Sequence, residues 1–438
     1  MDPAEDLAPR PWLNDPGWPI PTRELLRYYP AAQEFCGVGA EPFDPASAWL
    51  AAAGQKALPL DPARFVTRMF RYAPVLDFAE LHGTGLRAAD DVTVLLHAHA
   101  AGIDMSPDGR RAVGVGVRRR NAPDLRIAAS AVVLATGGIE NARLLLLSGL
   151  GNCQDLVGRH FMEHLFLDDA ASVVGLGPSA LFRPYFRRMS AHGRQFKAAL
   201  APTAGLLAQT GLPNLAIKLA SASKRAPGIL ALLALRDRLT SRRPGMPPQG
   251  AVRRLLTDLP RTARAVAQVV QDKEMGTARR PEPLLASVVG EQAPNPASRV
   301  TLSERRDEFG QPLARVDWRL LERDRQALWR ALELLRDEFE RTRLGRVTLP
   351  DDPGKQHALA GLRGGRHHMG TTRMASAARF GVVDPDCRVH GIDNLFVAGS
   401  SVFPTSGHAN PTLTIVALAL RLADRIRRDA PGLLAKQS

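Results

Sequence analysis

Three kinds of hydrophobic pattern follow one another along this chain. From Asp91, D-V-T-V-L-L-H-A-H-A is rich in strand formers. I-D-M-S-P-D-G-R-R-A-V-G-V-G-V follows, and its Pro-Asp-Gly turn predicts a hairpin. The apolar run Ala129 to Ala135 then predicts a strand buried on both faces of a parallel sheet. Gly137-Gly138 form a tight turn into the helix I-E-N-A-R-L-L-L-L-S, which Gly149 closes. A strand, a glycine turn and a helix N-terminus suit a phosphate or another electron-rich ligand group, and equally an ordinary βα unit.

Helical pattern dominates 223–275, broken by R-R-P-G-M-P-P-Q-G, the most linker-like point of the chain. Strands return at L-L-A-S-V-V-G-E-Q, S-R-V-T-L-S and P-L-A-R-V-D-W. A helix from about Leu321 to Arg343 carries Leu328, Leu332 and Leu335 on one side. Near the end, Asp393-Asn394 read as a turn and L-F-V-A as a short buried strand. The last helix starts at Asn410-Pro411, with Asn410 as cap and Pro411 at the first helical position. Leu413, Val416, Ala417 and Leu420 form its apolar face, and Pro431-Gly432 terminate it. At the front, Thr22 reads as the N-cap of a helix with Glu24 in its first turn. The Pro- and Trp-rich residues before it resemble the middle of a domain.

Composition adds limits. A chain of 438 residues suits two domains, one of them split in sequence. Hydrophobic content of 45% and charged content of 23% are ordinary for a globular protein with a core of its own. Cys36, Cys153 and Cys387 show neither disulfide nor metal spacing and read as inert thiols. Net charge is +14, and over 224–282 alone 13 Lys/Arg stand against 5 Asp/Glu. No recognition motif accompanies that excess, so a solvated helical surface is preferred to a nucleic-acid or membrane site. No apolar run approaches the roughly 20 residues of a membrane span. The acidic start M-D-P-A-E-D lacks the form of a signal peptide, so a cytoplasmic location is the default expectation.

Candidate chemistry is sparse on pattern alone. His160 and His164 stand four apart on what reads as a helical turn, but no third ligand joins them, so no metal is expected. Gly83-Thr-Gly-Leu-Arg-Ala88 spells a dinucleotide fingerprint without the strand before it and the helix after it. Gly114-Val-Gly116 lies inside a strand. His367 and His368 read as a polar loop.

Several motifs together change the weights. His367-x-Met369-Gly370-Thr371, N-L-F-V-x-G-S-S-V-F-P and G-x-x-N-P-T-x-T resemble the C-terminal signature of the glucose–methanol–choline (GMC) oxidoreductases. The resemblance extends to W-P-I, A-T-G-G-I-E-N-A-R-L-L-L-L-S-G and E-Q-x-P-N-P-x-S-R-V-T-L-S. It is closest to the bacterial branch of pyranose oxidases and gluconate and fructose dehydrogenase flavin subunits. It implies an α/β fold: an FAD-binding Rossmann-like domain at 1–170 and 355–438, lacking its first βαβ unit, and an α+β substrate domain on an antiparallel sheet at 171–354.

The same resemblance implies FAD as cofactor and an alcohol or sugar as substrate. His367 then takes the hydroxyl proton as hydride passes to the flavin, and Asn410, rather than His408, binds the substrate oxygen. Cofactor contacts are implied for Ala100, Ala135, Gly137, Asn141, Gly399, Ser400, Pro411 and Thr412. The electron acceptor is oxygen or a partner, a quinone or a cytochrome. Since no G-x-G-x-x-G unit precedes these motifs, weak FAD binding is expected of a chain starting at Met1. The alternative is a truncated, inactive relative or a fragment of a mis-started gene.

Overall fold

In the computed structural model, residues 3–435 are described apart from 14, 76, 177 and 223–282. The segment read as helical at 223–275 lies outside the described residues. Among the described residues the chain is an α/β fold built on two large hydrophobic cores, with a small third cluster on the antiparallel sheet.

The first core is an antiparallel sheet with strand order β1-β8-β9-β10-β6-β13. Its members are β1 (Phe65–Tyr72), β6 (Leu165–Gly175), β8 (Arg194–Pro202), β9 (Leu215–Ser221), β10 (Leu284–Gly290) and β13 (Gly345–Thr348), with β7 (Met189–Ala191) on β8 and β14 (Arg363–Gly364) on β6. The helix Glu322–Arg341 covers this sheet with Leu328, Leu332, Leu335 and Phe339, an i, i+4, i+7, i+11 stripe that is fully buried. Asp324 secures its start by accepting the Leu321 N–H at 2.8 Å. At Gly290 the helix meets the sheet so closely that a Cβ would lie 2.5 Å from Leu328 Cδ2. Trp49, Leu50 and Leu58 pack into this core too. The proposed domains 1–170, 171–354 and 355–438 therefore interleave, because residues 46–72 side with the antiparallel sheet.

The second core surrounds a short parallel pair, β5 (Val132–Leu134) and β15 (Leu395–Val397), in register Leu395 to Val132. The helix Gly137–Ser148, ended by left-handed Gly149, packs here with the C-terminal helix Thr412–Ala435 and the helices Thr22–Leu26 and Tyr29–Phe35. A three-stranded sheet, β2 (Ala98–Met105), β3 (Ala112–Arg119) and β4 (Leu125–Ala128), and the hairpin of β11 (Arg299–Arg306) and β12 (Pro312–Asp317) complete it. Asn394, read as half of a turn, is fully buried. Its amide exchanges hydrogen bonds with Ala112 N and O and donates to Ser130 O, tying β3 to the parallel pair.

Several local expectations are corrected. Residues 91–97 form no strand, and β2 starts only at Ala98. The apolar run 129–135 yields three strand residues, and Val133 is 42% exposed while Val132 and Leu134 are buried. Only one face, that of Val132 and Leu134, is covered. Thr22 is the first helical residue after a Pro21 cap. His160 and His164 share no helix; His160 adopts φ +57° and His164 leads into β6. Pro411, whose carbonyl accepts the Ile415 N–H, caps the last helix in place of Asn410. That helix runs past Pro431-Gly432 to Ala435. The fingerprint decoy at 83–88 is rejected for a stronger reason, since it lies inside the helix Phe78–Ala88. No helix among the described residues is long and apolar enough to cross a membrane.

Candidate active site

The sequence H-H-M-G-T forms a loop pinned at both sides to the segment that enters β6. β14 pairs with β6 at Arg363–Phe166 and Gly364–Leu165, and Gly365 N donates to His164 O at 2.9 Å. Beyond the bulge, Met369 and Met162 exchange both backbone hydrogen bonds, at 2.9 and 3.0 Å. Arg366 takes left-handed φ, +58°, to turn the chain outward between these anchors. The Glu163 carboxylate sits under the bulge. It accepts the His367 N–H at 2.7 Å and lies 3.2 Å from His368 Nε2. Burial raises its pKa, while the backbone donor and His368 pull it down.

The rings above this loop form a compact basic cluster. His367 Nδ1 lies 2.8 Å from His164 Nδ1, with the rings 4.7 Å apart and nearly perpendicular. His164 is fully buried, and its Nε2 lies 3.0 Å from Ser406 O. Burial lowers the His367 pKa, helped by the positive field of Lys218 and His368. It takes His164 down to about 3 and His408 well below the usual imidazole range. At neutral pH these three rings are uncharged bases.

Lys218 reaches the same cluster from β9. Its ammonium lies 4.4 Å over Phe70 and 5.7 Å from the Phe166 centroid, and burial lowers its pKa to about 8 against the pull of Asp168. Gly365 is required where it stands. A Cβ there would lie 2.6 Å from the Phe166 ring and 3.2 Å from His367 Nδ1.

The parallel pair is joined to the histidine loop by Gly138, where a Cβ would lie 2.2 Å from His368 O. Thr371 Oγ1 donates to Gly138 O, and Ser400 Oγ donates to His368 O at 2.7 Å. Thr372 and Met374 N–H groups donate to Ser401 and Val402. Asn141 then braces the two strand ends. Its Oδ1 accepts from Thr136 N and Oγ1, and its Nδ2 donates to Ala398 O and Ser401 Oγ. All four bonding positions of that amide are used within the protein.

The expected site residues thus fall into groups. Ala135, Gly137, Gly399 and Ser400 meet at the C-terminal ends of β5 and β15, with Asn141 buried between them. His367 stands in the basic cluster beside them. Ala100 is exposed on β2, Pro411 is buried at the start of the last helix, and Thr412 is exposed there. Asn410 is exposed, and among the described contacts no hydrogen bond joins it to His367. His408 is 6% exposed and edge-on to Phe70, with an Nδ1 that has no hydrogen-bond partner.

Glu163, His164 and Lys218 escaped the reading of the sequence as site residues. The signal for Lys218 was available: L-A-I-K-L-A-S places one charge in an otherwise apolar strand. For His164 the four-residue spacing from His160 was weighed only as a metal pair and set aside, while its partner lies two hundred residues on.

Two GMC oxidoreductase family models match, the N-terminal one over residues 85–166 and the C-terminal one over 294–419. A C-glycoside 3-oxidase of Arthrobacter globiformis is 38% identical over 132 residues, which cover 29% of this chain and 24% of that protein. The fructose dehydrogenase large subunit of Gluconobacter japonicus is 26% identical over 317 residues, 69% of this chain and 48% of its own length. The matched chain therefore spans between about a quarter and a half of these relatives. Among solved structures, an FAD-dependent oxidoreductase from Chaetomium thermophilum has the same fold, with a TM-score of 0.53 and 16% identity over 98% of this chain and 83% of that one.

Proposed function

We propose, for a chain that belongs to the GMC oxidoreductase family, that it oxidises a CH–OH group of an alcohol or sugar with His367 as the proton acceptor. The observation that carries the proposal is a half-buried His367 ring held at Nδ1 near a lysine that packs on two aromatic rings, where burial lowers its pKa. A base with a lowered pKa takes a hydroxyl proton without first losing one of its own. Asn410 is assigned the substrate oxygen, on the loop that leads from His408 into the last helix.

The residues at the strand ends fit a flat, electron-rich group. Gly137, at φ +90°, has open space where a side chain would stand, and Gly399, at φ +116°, leaves nothing nearer than 3.9 Å. Thr136 gives the following helix no side-chain cap, so its first N–H groups remain available to a ligand. Ala135, Gly137, Gly399 and Ser400 would hold FAD, with Pro411 and Thr412 at the last helix and Ala100 on the β2 side. FAD, the family's cofactor, supplies the hydride acceptor when bound. The electrons pass on to an acceptor partner, a quinone or a cytochrome, or to oxygen.

The test uses the full chain loaded with FAD and a panel of sugars and alcohols, reading loss of oxidised-flavin absorbance without oxygen. His367→Ala should slow that loss by about 10²–10⁴-fold. An unchanged rate removes His367 from the reaction. Adding a quinone or a cytochrome c afterwards, against air, identifies the acceptor.

A further inference from the structure

We propose that His164 is a positioning residue that fixes the tautomer of His367, so that His367 presents an unprotonated Nε2 to the substrate hydroxyl. The inference deepens the reading of His367 as proton acceptor and rests on it.

One line of atoms sets the tautomer. A peptide carbonyl only accepts, so the 3.0 Å contact from His164 Nε2 to Ser406 O requires the proton on that nitrogen. His164 is fully buried and faces a second imidazole and Lys218, which keeps it neutral. Its Nδ1 is therefore a lone pair. The 2.8 Å contact between the two Nδ1 atoms needs one proton, and only His367 can bring it. A neutral His367 protonated at Nδ1 carries its lone pair at Nε2. The other tautomer would set two lone pairs against each other at 2.8 Å in a buried site, which costs what any unmade buried hydrogen bond costs.

Proton uptake leaves this line intact. Once Nε2 of His367 is protonated, Nδ1–H still donates to His164, now as a charge-assisted bond. Nothing has to rotate during the transfer. Glu163 does a different job: its carboxylate holds the His367 backbone N–H and faces His368 Nε2, so it places the loop and leaves the ring to His164. His408 and Lys218 face the cluster from the Ser406 loop and from β9. The positive charge of Lys218 keeps an extra proton away from His164, and His408, itself neutral, adds none. Gly365 lets the two rings meet, its own Cβ position lying 3.3 Å from His164 Cβ.

The experiment is heteronuclear NMR of the full chain labelled with nitrogen-15 in histidine, His367 being assigned by the signals missing in His367→Gln. The expected result is an Nδ1-protonated, neutral His367 near pH 7 in the unsubstituted protein, a reading that needs no variant to fold. His164→Asn, which keeps an acceptor oxygen near the Nδ1 position, should preserve the tautomer. His164→Leu should move His367 toward Nε2–H and lower kcat by about tenfold or more with KM little changed, since a misprotonated base forfeits part of its ~10²–10⁴-fold contribution. An Nε2-protonated His367 in the unsubstituted protein overturns the proposal, as does an unchanged tautomer in a folded His164→Leu. If His367→Ala keeps turnover while the Nδ1–H tautomer is observed, the tautomer lock stands and the base assignment fails.

Discussion

Replacing Asn141 with alanine separates two roles that one position can play. As a cofactor contact, its loss lowers FAD affinity and leaves the protein without FAD undisturbed. As a brace between strand ends, its loss loosens both ends whether or not FAD is present. The structure supplies the magnitude. Thr136 is exposed, so its N–H and hydroxyl regain water and add little. Ser401 is fully buried and Ala398 partly so; losing their donor costs about 1–3 kcal/mol for each group left unpaired. A local loss of about 2–6 kcal/mol follows, brought down to about 2–4 kcal/mol as the Ser401 hydroxyl finds another partner. Amide hydrogen exchange in peptides covering 132–148 and 395–403 should then accelerate about 30- to 1,000-fold in the protein without FAD. Peptides in the antiparallel sheet should exchange as before. Unchanged exchange in both target peptides, together with weaker FAD binding, would refute the brace.

Three further outcomes follow from the basic cluster. Lys218→Met removes a positive charge that disfavours protonated His367, so the His367 pKa should rise and the basic form should appear at higher pH; a nitrogen-15 titration reads it, and a fall would contradict the assigned field. Gly365→Ala should press on Phe166 and His367 Nδ1 and cut turnover more than it lowers the melting temperature, to be read by comparing kcat with a thermal melt. His164 has a folded pKa near 3 against 6.5 when unfolded, so below pH 6.5 the unfolded chain binds the extra proton. Its contribution is intact above about pH 6.5 and is lost as pH falls toward 3, by up to about 1.4 kcal/mol per pH unit, and His164→Asn should flatten that slope in urea titrations at pH 4 to 7.

Local elements were readable where one segment decides its own shape. The helix Gly137–Ser148 with its Gly149 stop, the Pro107-Asp108-Gly109 hairpin and the Leu328 stripe are set by neighbours within a turn or two. Elements that depend on distant partners were misread. The run Ala129–Ala135 was taken as buried on both faces because composition cannot say which face a neighbour covers. Asn394 does stand in a turn, but nothing local showed that its buried side chain reaches back to Ala112 and Ser130. Gly138 was assigned to a tight turn, whereas its missing side chain admits the backbone of His368, two hundred and thirty residues later. In the site, motif resemblance singled out His367. The groups that tune it, His164, Glu163 and Lys218, sit on strands or strand entries with no pattern of their own.

These distant contacts also bear on why the proposed base stands on a loop. Met162 and Met369 belong to the core around the parallel pair, whereas Leu165 belongs to the core of the antiparallel sheet. Glu163 and His164 are therefore the two residues by which the chain crosses from one core to the other, and the histidine loop is laced to that crossing on both sides. A loop tied to one core alone would ride with it and change its distance to the other. Here His367 is referenced to both: to the parallel pair through Gly138, Ser400 and His368, and to the antiparallel sheet through Phe166 and Lys218. A ligand held at the strand ends and a substrate held against the sheet then share one fixed point. Relative movement of the cores would strain the 2.8 Å contact between the two histidines first, because it lies on the crossing itself.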